Sequence, residues 1–99
     1  MDIYDRQGNP ISITEWCRLL RDTAYQHVAV TVVGEAVVST VWLGLDHSFG
    51  HGPPMIFETM VFYDSRNEWD DLQERYPTEG AAVAGHDQVV AAVRERVDA

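Results

Sequence analysis

The middle of the chain is dominated by β-branched residues, and this feature constrains the fold more than any other. Residues 27–33 read HVAVTVV and residues 36–45 read AVVSTVWLGL. Valine and threonine favour extended backbone because their branched side chains are restricted in a helix. Gly34 and Glu35 separate the two runs, and a two-residue break that contains glycine is typical of a hairpin turn. The sequence therefore predicts two antiparallel strands joined by a tight turn.

Further strands are predicted on the C-terminal side of this hairpin. A loop at 46–54 leads into MIFETMVFY at 55–63, an apolar run with the length of a strand. DSRNEWD at 64–70 is expected to be a turn-bearing connection, and residues 71–76 are expected to form a short edge strand. Short connections between successive strands favour antiparallel pairing.

Helices are expected on both sides of the strand region. YDRQGNPIS at 4–12 resembles a short hairpin, and SITEWCRLLRD after it reads as a helix that Ser12 or Thr14 can cap. A longer helix is predicted to begin at Thr78-Glu79, directly after a proline. The predicted inward face of this helix consists of residues spaced three and four apart: Val83, His86, Val90, Val93 and Val97.

Together these elements predict a single α+β domain over residues 1–99. It consists of an antiparallel meander of three to four strands, with a short N-terminal helix and a longer C-terminal helix packed on the sheet. Both faces of the second and third strands are largely apolar, whereas a sheet with one solvated face should alternate more clearly. The second face is therefore expected to be covered, either by the N-terminal segment or by another subunit of a homodimer.

Charge and composition exclude several classes of protein. The net charge is −9 and the seven basic residues are all arginine, so a phosphate backbone would be repelled and direct nucleic-acid binding is not expected. No apolar stretch is long enough to span a bilayer, and the polar N-terminus does not resemble a signal peptide. These observations predict a soluble cytoplasmic protein. The lone Cys17 excludes an internal disulfide and is expected to be buried in the first helix.

The loop at 46–54 carries the first candidate site residues: Asp46, His47 and His51. Histidine and carboxylate side chains are common ligands of zinc and other metals. Their spacing here matches no established metal motif. The alternative is a structural turn, in which Asp46 accepts hydrogen bonds from nearby backbone N–H groups and the histidines are solvated.

Glu58 and His86 are the other candidates for a binding site. Glu58 lies within an apolar strand, where a carboxylate must find a partner, and Arg66, Arg75, His47 and His86 are the candidates for that partner. His86 lies on the inward face of the last helix. A Glu58–His86 pair beneath the loop would form a small site, whereas the alternative is an ion pair and a hydrogen-bonded core histidine.

Three blocks of the sequence resemble a known group of proteins: YDRQGNPIS with EW after it, VSTVWLGLDHSFGHGPPMIFETMVF at 38–62, and ERYPTEGAAVAGH at 74–86. They are similar to small uncharacterised proteins encoded by actinobacterial phages and prophages. The resemblance covers most of the chain and implies a phage-type protein in a bacterial host cytoplasm, or a minor virion component. It brings no established activity and no catalytic residues. Small phage accessory proteins commonly bind host or viral components.

Three functional hypotheses follow. The first is a non-enzymatic, phage-type accessory protein that binds a host or phage macromolecule, with a protein partner or a homodimer. The second is a small-molecule or metal-binding protein, or an enzyme, with a site around Asp46, His47, Glu58 and His86. The third is a minor structural protein of the virion. No nucleophile elbow, phosphate loop or dinucleotide fingerprint is present, so no catalytic residue, metal or cofactor is assigned.

Overall fold

The chain forms the predicted α+β fold, in which two helices and a hairpin precede an antiparallel sheet and a long helix closes it. The computed structural model describes residues 2–46, 52–63, 68–69 and 73–98. In chain order, the elements of these ranges are α1 (Ile13–Leu20), α2 (Thr23–Gln26), β1 (His27–Val33), β2 (Ala36–Trp42), β3 (Phe57–Tyr63), β4 (Glu68–Trp69), β5 (Glu74–Tyr76) and α3 (Glu79–Asp98).

The sheet is built around the three long strands β1, β2 and β3. β2 lies between β1 and β3, and the short strands β4 and β5 both pair with the other edge of β3. All pairs are antiparallel. The hairpin turns at Gly34, whose φ of 59° lies in the left-handed region that glycine adopts without steric cost. The three long strands were predicted, but β4 falls where a turn-bearing connection was expected.

The helix α3 covers one face of the sheet. Its buried side chains meet those of the strands in an apolar cluster formed by Val33, Ala36, Val38, Val61, Val89, Val90 and Val93. The predicted inward face is partly wrong, because Val83 is exposed and the small Ala82 and Gly85 are buried instead. Gly85 lies so close to Tyr76 that a Cβ atom there would overlap the Tyr76 ring. The missing side chain therefore allows α3 to approach β5.

The N-terminal segment extends the same layer as α3. Ser12 caps α1 by accepting a hydrogen bond from the Glu15 N–H at 3.1 Å. Leu19 from α1 is buried with Trp42, Phe57 and Ala82, and Trp16 and Tyr25 pack around them. The segment thus completes the core on the α3 side and does not cover the opposite face. Cys17 is exposed, contrary to expectation, because it lies on the outer side of α1.

Arg6 connects the N-terminal hairpin, at residues 4–12, to the rest of the fold. Its Nε donates to Oε1 of Glu79 at 2.5 Å, its Nη1 donates to the carbonyl oxygen of Tyr25 at 3.0 Å, and its guanidinium lies over the Tyr25 ring. These contacts join the hairpin to α2 and to the first turn of α3. Among the described helices, none is long and apolar enough to cross a bilayer.

Candidate functional site

Strand alternation gives the two faces of the sheet distinct residues. Thr40 pairs with Thr59, and Val38 pairs with Val61, on the face that α3 covers. The alternate positions of the three long strands therefore lie on the opposite face. That face, called the open face below, is formed by Val30, Val32, Val37, Ser39, Val41, Glu58, Met60 and Phe62. The sheet thus separates Glu58 from the residues that contact α3.

His86 lies at the centre of a buried polar network beneath α3. Its Nδ1 is 2.7 Å from Oγ1 of Thr40, and its Nε2 is 2.8 Å from Oγ1 of Thr31. Thr40 in turn shares a hydrogen bond of 2.5 Å with Thr59. A neutral imidazole donates from one ring nitrogen and accepts at the other, and a hydroxyl can serve either role. Both nitrogens of this buried ring are therefore satisfied, as a structural histidine requires.

The three threonines of this network were not predicted. Thr40 and Thr59 are direct cross-strand neighbours, and Thr31 lies on the adjacent strand next to Val38. A threonine on each of three neighbouring strands was the available signal. It could be read only once the register was known, because threonine is common on either face of a strand.

Glu58 is buried on the open face, where it forms an ion pair. Its Oε2 accepts from Nε of Arg75 at 2.9 Å and from Nε2 of Gln73 at 3.2 Å. Arg75 is the direct cross-strand neighbour of Glu58 on β5, so the sheet register itself sets this contact. Of the four candidate partners named from the sequence, Arg75 is thus in place.

The predicted pair of Glu58 with His86 is not formed. The pairing of Thr40 with Thr59 places His86 on the α3 side of the sheet, and Glu58 follows the opposite alternation. The two side chains are therefore separated by the thickness of the sheet, and no small site is built from them.

Asp46 has the structural role that was considered as an alternative to a metal ligand. Its Oδ1 accepts from the backbone N–H of Met55 at 3.0 Å, which ties the two ends of the loop together. The histidines His47 and His51 lie outside the described residues, as does the possible partner Arg66. Within the described ranges, no group of three or more His, Cys, Asp or Glu side chains is arranged to hold a metal ion.

Two surface grooves lie in the described part of the chain. One, of about 350 Å³, lies between Arg6 and the start of α3. The other, of about 270 Å³, lies between β5 and α3 beside Gly85. Neither groove is lined by a candidate site residue, and the Arg6–Glu79 ion pair already occupies the charged groups of the first.

The His86 network predicts that acid destabilises the protein. Burial lowers the pKa of His86, although nearby Asp87 opposes this shift. A folded-state pKa below that of the unfolded chain means that the unfolded state binds more protons as the pH falls. The stability that the neutral ring contributes is therefore complete above the ordinary histidine pKa and is lost progressively below it. The free energy of unfolding should decrease from pH 7 to pH 5 by at most about 1.4 kcal/mol per pH unit for this one group.

Chemical denaturation at several pH values measures this effect. His86→Gln keeps a donor and an acceptor but does not titrate, so its pH dependence should be shallower than that of the unsubstituted protein. His27→Gln is the matched control, because it makes the same substitution at an exposed histidine outside the His86 network, and the slope for His86→Gln is compared with its slope. Equal slopes for the unsubstituted protein and His86→Gln would contradict the prediction.

Comparisons of the chain with protein family models, with curated proteins and with solved structures give no match.

Proposed function

We propose that the protein is a non-enzymatic binding module that recognises another protein through the open face. The observation that carries this proposal is an apolar sheet face without a covering layer in the described part of the chain. Val30 and Val32 on this face are exposed, and Val37, Val41 and Met60 are half-buried. Apolar surface that is contiguous and accessible is typical of protein–protein contact sites.

The charge distribution indicates what kind of partner fits. The ionised side chains identified on the open face and its β5 margin are Glu58 and Arg75, which neutralise each other. The chain as a whole carries a net charge of −9. A partner that is apolar at the centre of its contact surface and basic at its rim would complement both features.

The side chains capable of chemistry support binding over catalysis. His86 is buried between Thr31 and Thr40, Glu58 is paired with Arg75, and Asp46 closes a loop. Each of these groups has a structural partner. The resemblance to phage-encoded proteins adds the context of the proposal, which is an accessory protein that acts on a host or phage protein.

Matched variants test this proposal in a lysate of an actinobacterial host. Met60→Lys places a charge on β3, an inner strand of the open face, and Ile13→Lys places the same charge on an exposed position of α1. We expect the unsubstituted chain and Ile13→Lys to retain the same lysate protein, and added salt to release it. The amount of this protein that Met60→Lys retains should be at least about tenfold lower.

Circular dichroism and thermal unfolding should first show that both variants are folded. The amounts of lysate protein that they retain are compared after that. Retention of the same protein by Met60→Lys would overturn the proposal, and so would the absence of any protein that the unsubstituted chain and Ile13→Lys both retain.

A further inference from the structure

The strand β1 forms a long free edge of the sheet. One side of it pairs with β2, and no other strand in the described ranges pairs with it. Natural edge strands are usually protected by charged side chains, proline or a bulge. β1 has an irregularity between His27 and Ala29, but residues 29–33, AVTVV, contain none of these features. This stretch is a regular, uncharged edge.

The register identifies the backbone groups that this edge presents. Val33 and Ala36 close the two-residue turn of the hairpin, so they exchange hydrogen bonds with each other. Hydrogen-bonded and non-hydrogen-bonded pairs alternate along an antiparallel ladder. The N–H and C=O groups of Val30 and Val32 therefore point away from β2 and are available to another strand.

Exposed apolar side chains are concentrated along the same edge. Val30 is 54% exposed, Val32 is 68% exposed and Val83 is 46% exposed. Val83 lies on α3 one helical turn before His86, whose ring bonds Thr31 of β1. Ile13 is the other exposed large apolar residue in the described ranges. An added strand would thus contact the exposed side chains of Val30 and Val32.

We propose that a second copy of this chain pairs with this edge, β1 against β1, in an antiparallel twofold dimer. The register sets Val30 of each copy opposite Val32 of the other, with the twofold axis at Thr31. Each Val30–Val32 pair then exchanges both of its free backbone hydrogen bonds, and opposite residues share the same face of the sheet. Neighbouring registers would bring fewer of these free groups into opposition.

Self-complementarity, and not net charge, favours a second copy as the occupant of the edge. In the twofold register the free backbone groups of Val30 and Val32 in one copy meet those of Val32 and Val30 in the other. The strand also brings no charged side chain into the β1–β1 interface, so nothing there adds to the repulsion between two chains of net charge −9. The same register brings the end of β1 that carries His27 alongside the turn that carries Glu35 of the other copy. These residue types do not repel each other, whereas like charges on opposing strands destabilise a sheet.

This dimer would join two sheets into one continuous sheet and place their open faces side by side. The dimer does not depend on the proposed recognition of another protein, since it uses the edge of β1 and not the centre of the face. It would double the recognition surface if that proposal also holds.

Sedimentation equilibrium of the purified protein in 150 mM salt, over about 1 μM to about 1 mM, tests the dimer. The unsubstituted protein should approach twice its chain mass of 11.2 kDa. Val32→Lys introduces the charge that natural edges carry and should remain monomeric. Val37→Lys is the matched control, because it places lysine on the same face but on β2, away from the edge. It should still dimerise.

Backbone hydrogen exchange shows directly whether the β1 strands of two copies pair. The amide of Val30 should be protected in the unsubstituted protein as its concentration rises, and should exchange at least about tenfold faster in Val32→Lys at the same concentration. A monomer throughout the concentration range would overturn the proposal. Dimers of Val32→Lys would also overturn it, as would loss of the dimer in Val37→Lys, which would indicate face-to-face packing.

Discussion

Gly44→Ala is expected to destabilise the protein by about 2–5 kcal/mol, the sum of backbone strain and overpacking. Gly44 has a φ of 81°, a conformation that residues with a Cβ atom rarely adopt. An added Cβ would lie 2.7 Å from the Trp16 indole and 2.9 Å from the Trp42 indole. Both rings are held by hydrogen bonds from their Nε1 atoms, to Leu43 and to Tyr4 respectively, so neither can move without losing a contact.

Gly8→Ala separates the two contributions to this effect. Gly8 has a similar φ of 87°, but nothing lies within 4 Å of an added Cβ. Its replacement should therefore cost only the strain of about 1–2 kcal/mol. Chemical denaturation of both variants gives the comparison. Equal losses of stability would show that the two indoles do not pack against Gly44 as described.

Arg75→Met is expected to destabilise the protein by about 2–3 kcal/mol, because it leaves a buried carboxylate without its cation. The side chain of Glu58 is only 9% exposed, and among the described residues Gln73 would remain to hydrogen-bond it. The expected loss is below that of a fully buried pair because the Arg75 side chain is 35% exposed and water can reach it.

The second substitution Glu58→Gln should restore most of this stability, since it removes the uncompensated charge. The exposed Glu15–Arg18 pair on α1 supplies the control, and Arg18→Met should leave the unfolding midpoint essentially unchanged. Urea unfolding at pH 7 measures all of these variants. If Arg75→Met is as stable as the unsubstituted protein, or if Glu58→Gln fails to rescue it, Glu58 is not held by a structural ion pair.

The long strands could be predicted from the sequence because local chemistry determines them. β-branched residues run through β1 and β2, and glycine at the turn between them fixes the hairpin. In β3, period-two alternation places Glu58 on one face and Thr59 on the other, and the register agrees with this.

The candidate site could not be predicted because both faces of the sheet are apolar. Alternation shows that Glu58 and Thr59 point in opposite directions, but it does not show which face α3 covers. The face of α3 itself was misread for a related reason. Ala82 and Gly85 make the close contacts, whereas Val83 is exposed, so hydrophobicity alone favoured the wrong residue. The choice between the faces is made by tertiary packing, which local sequence does not encode.

The two faces of the sheet are not equivalent, and Val→Thr substitutions on opposite faces measure the difference between them. Val61 is fully buried in the apolar cluster beneath α3, and Val37 lies on the open face. Threonine has nearly the shape of valine, so the substitution mainly adds a hydroxyl that needs a partner. Val61→Thr should lower the free energy of unfolding by about 1–3 kcal/mol, and Val37→Thr should change it by less than about 0.5 kcal/mol. A loss for Val37→Thr as large as that for Val61→Thr would contradict this difference, because the open face would then be as closed to water as the core.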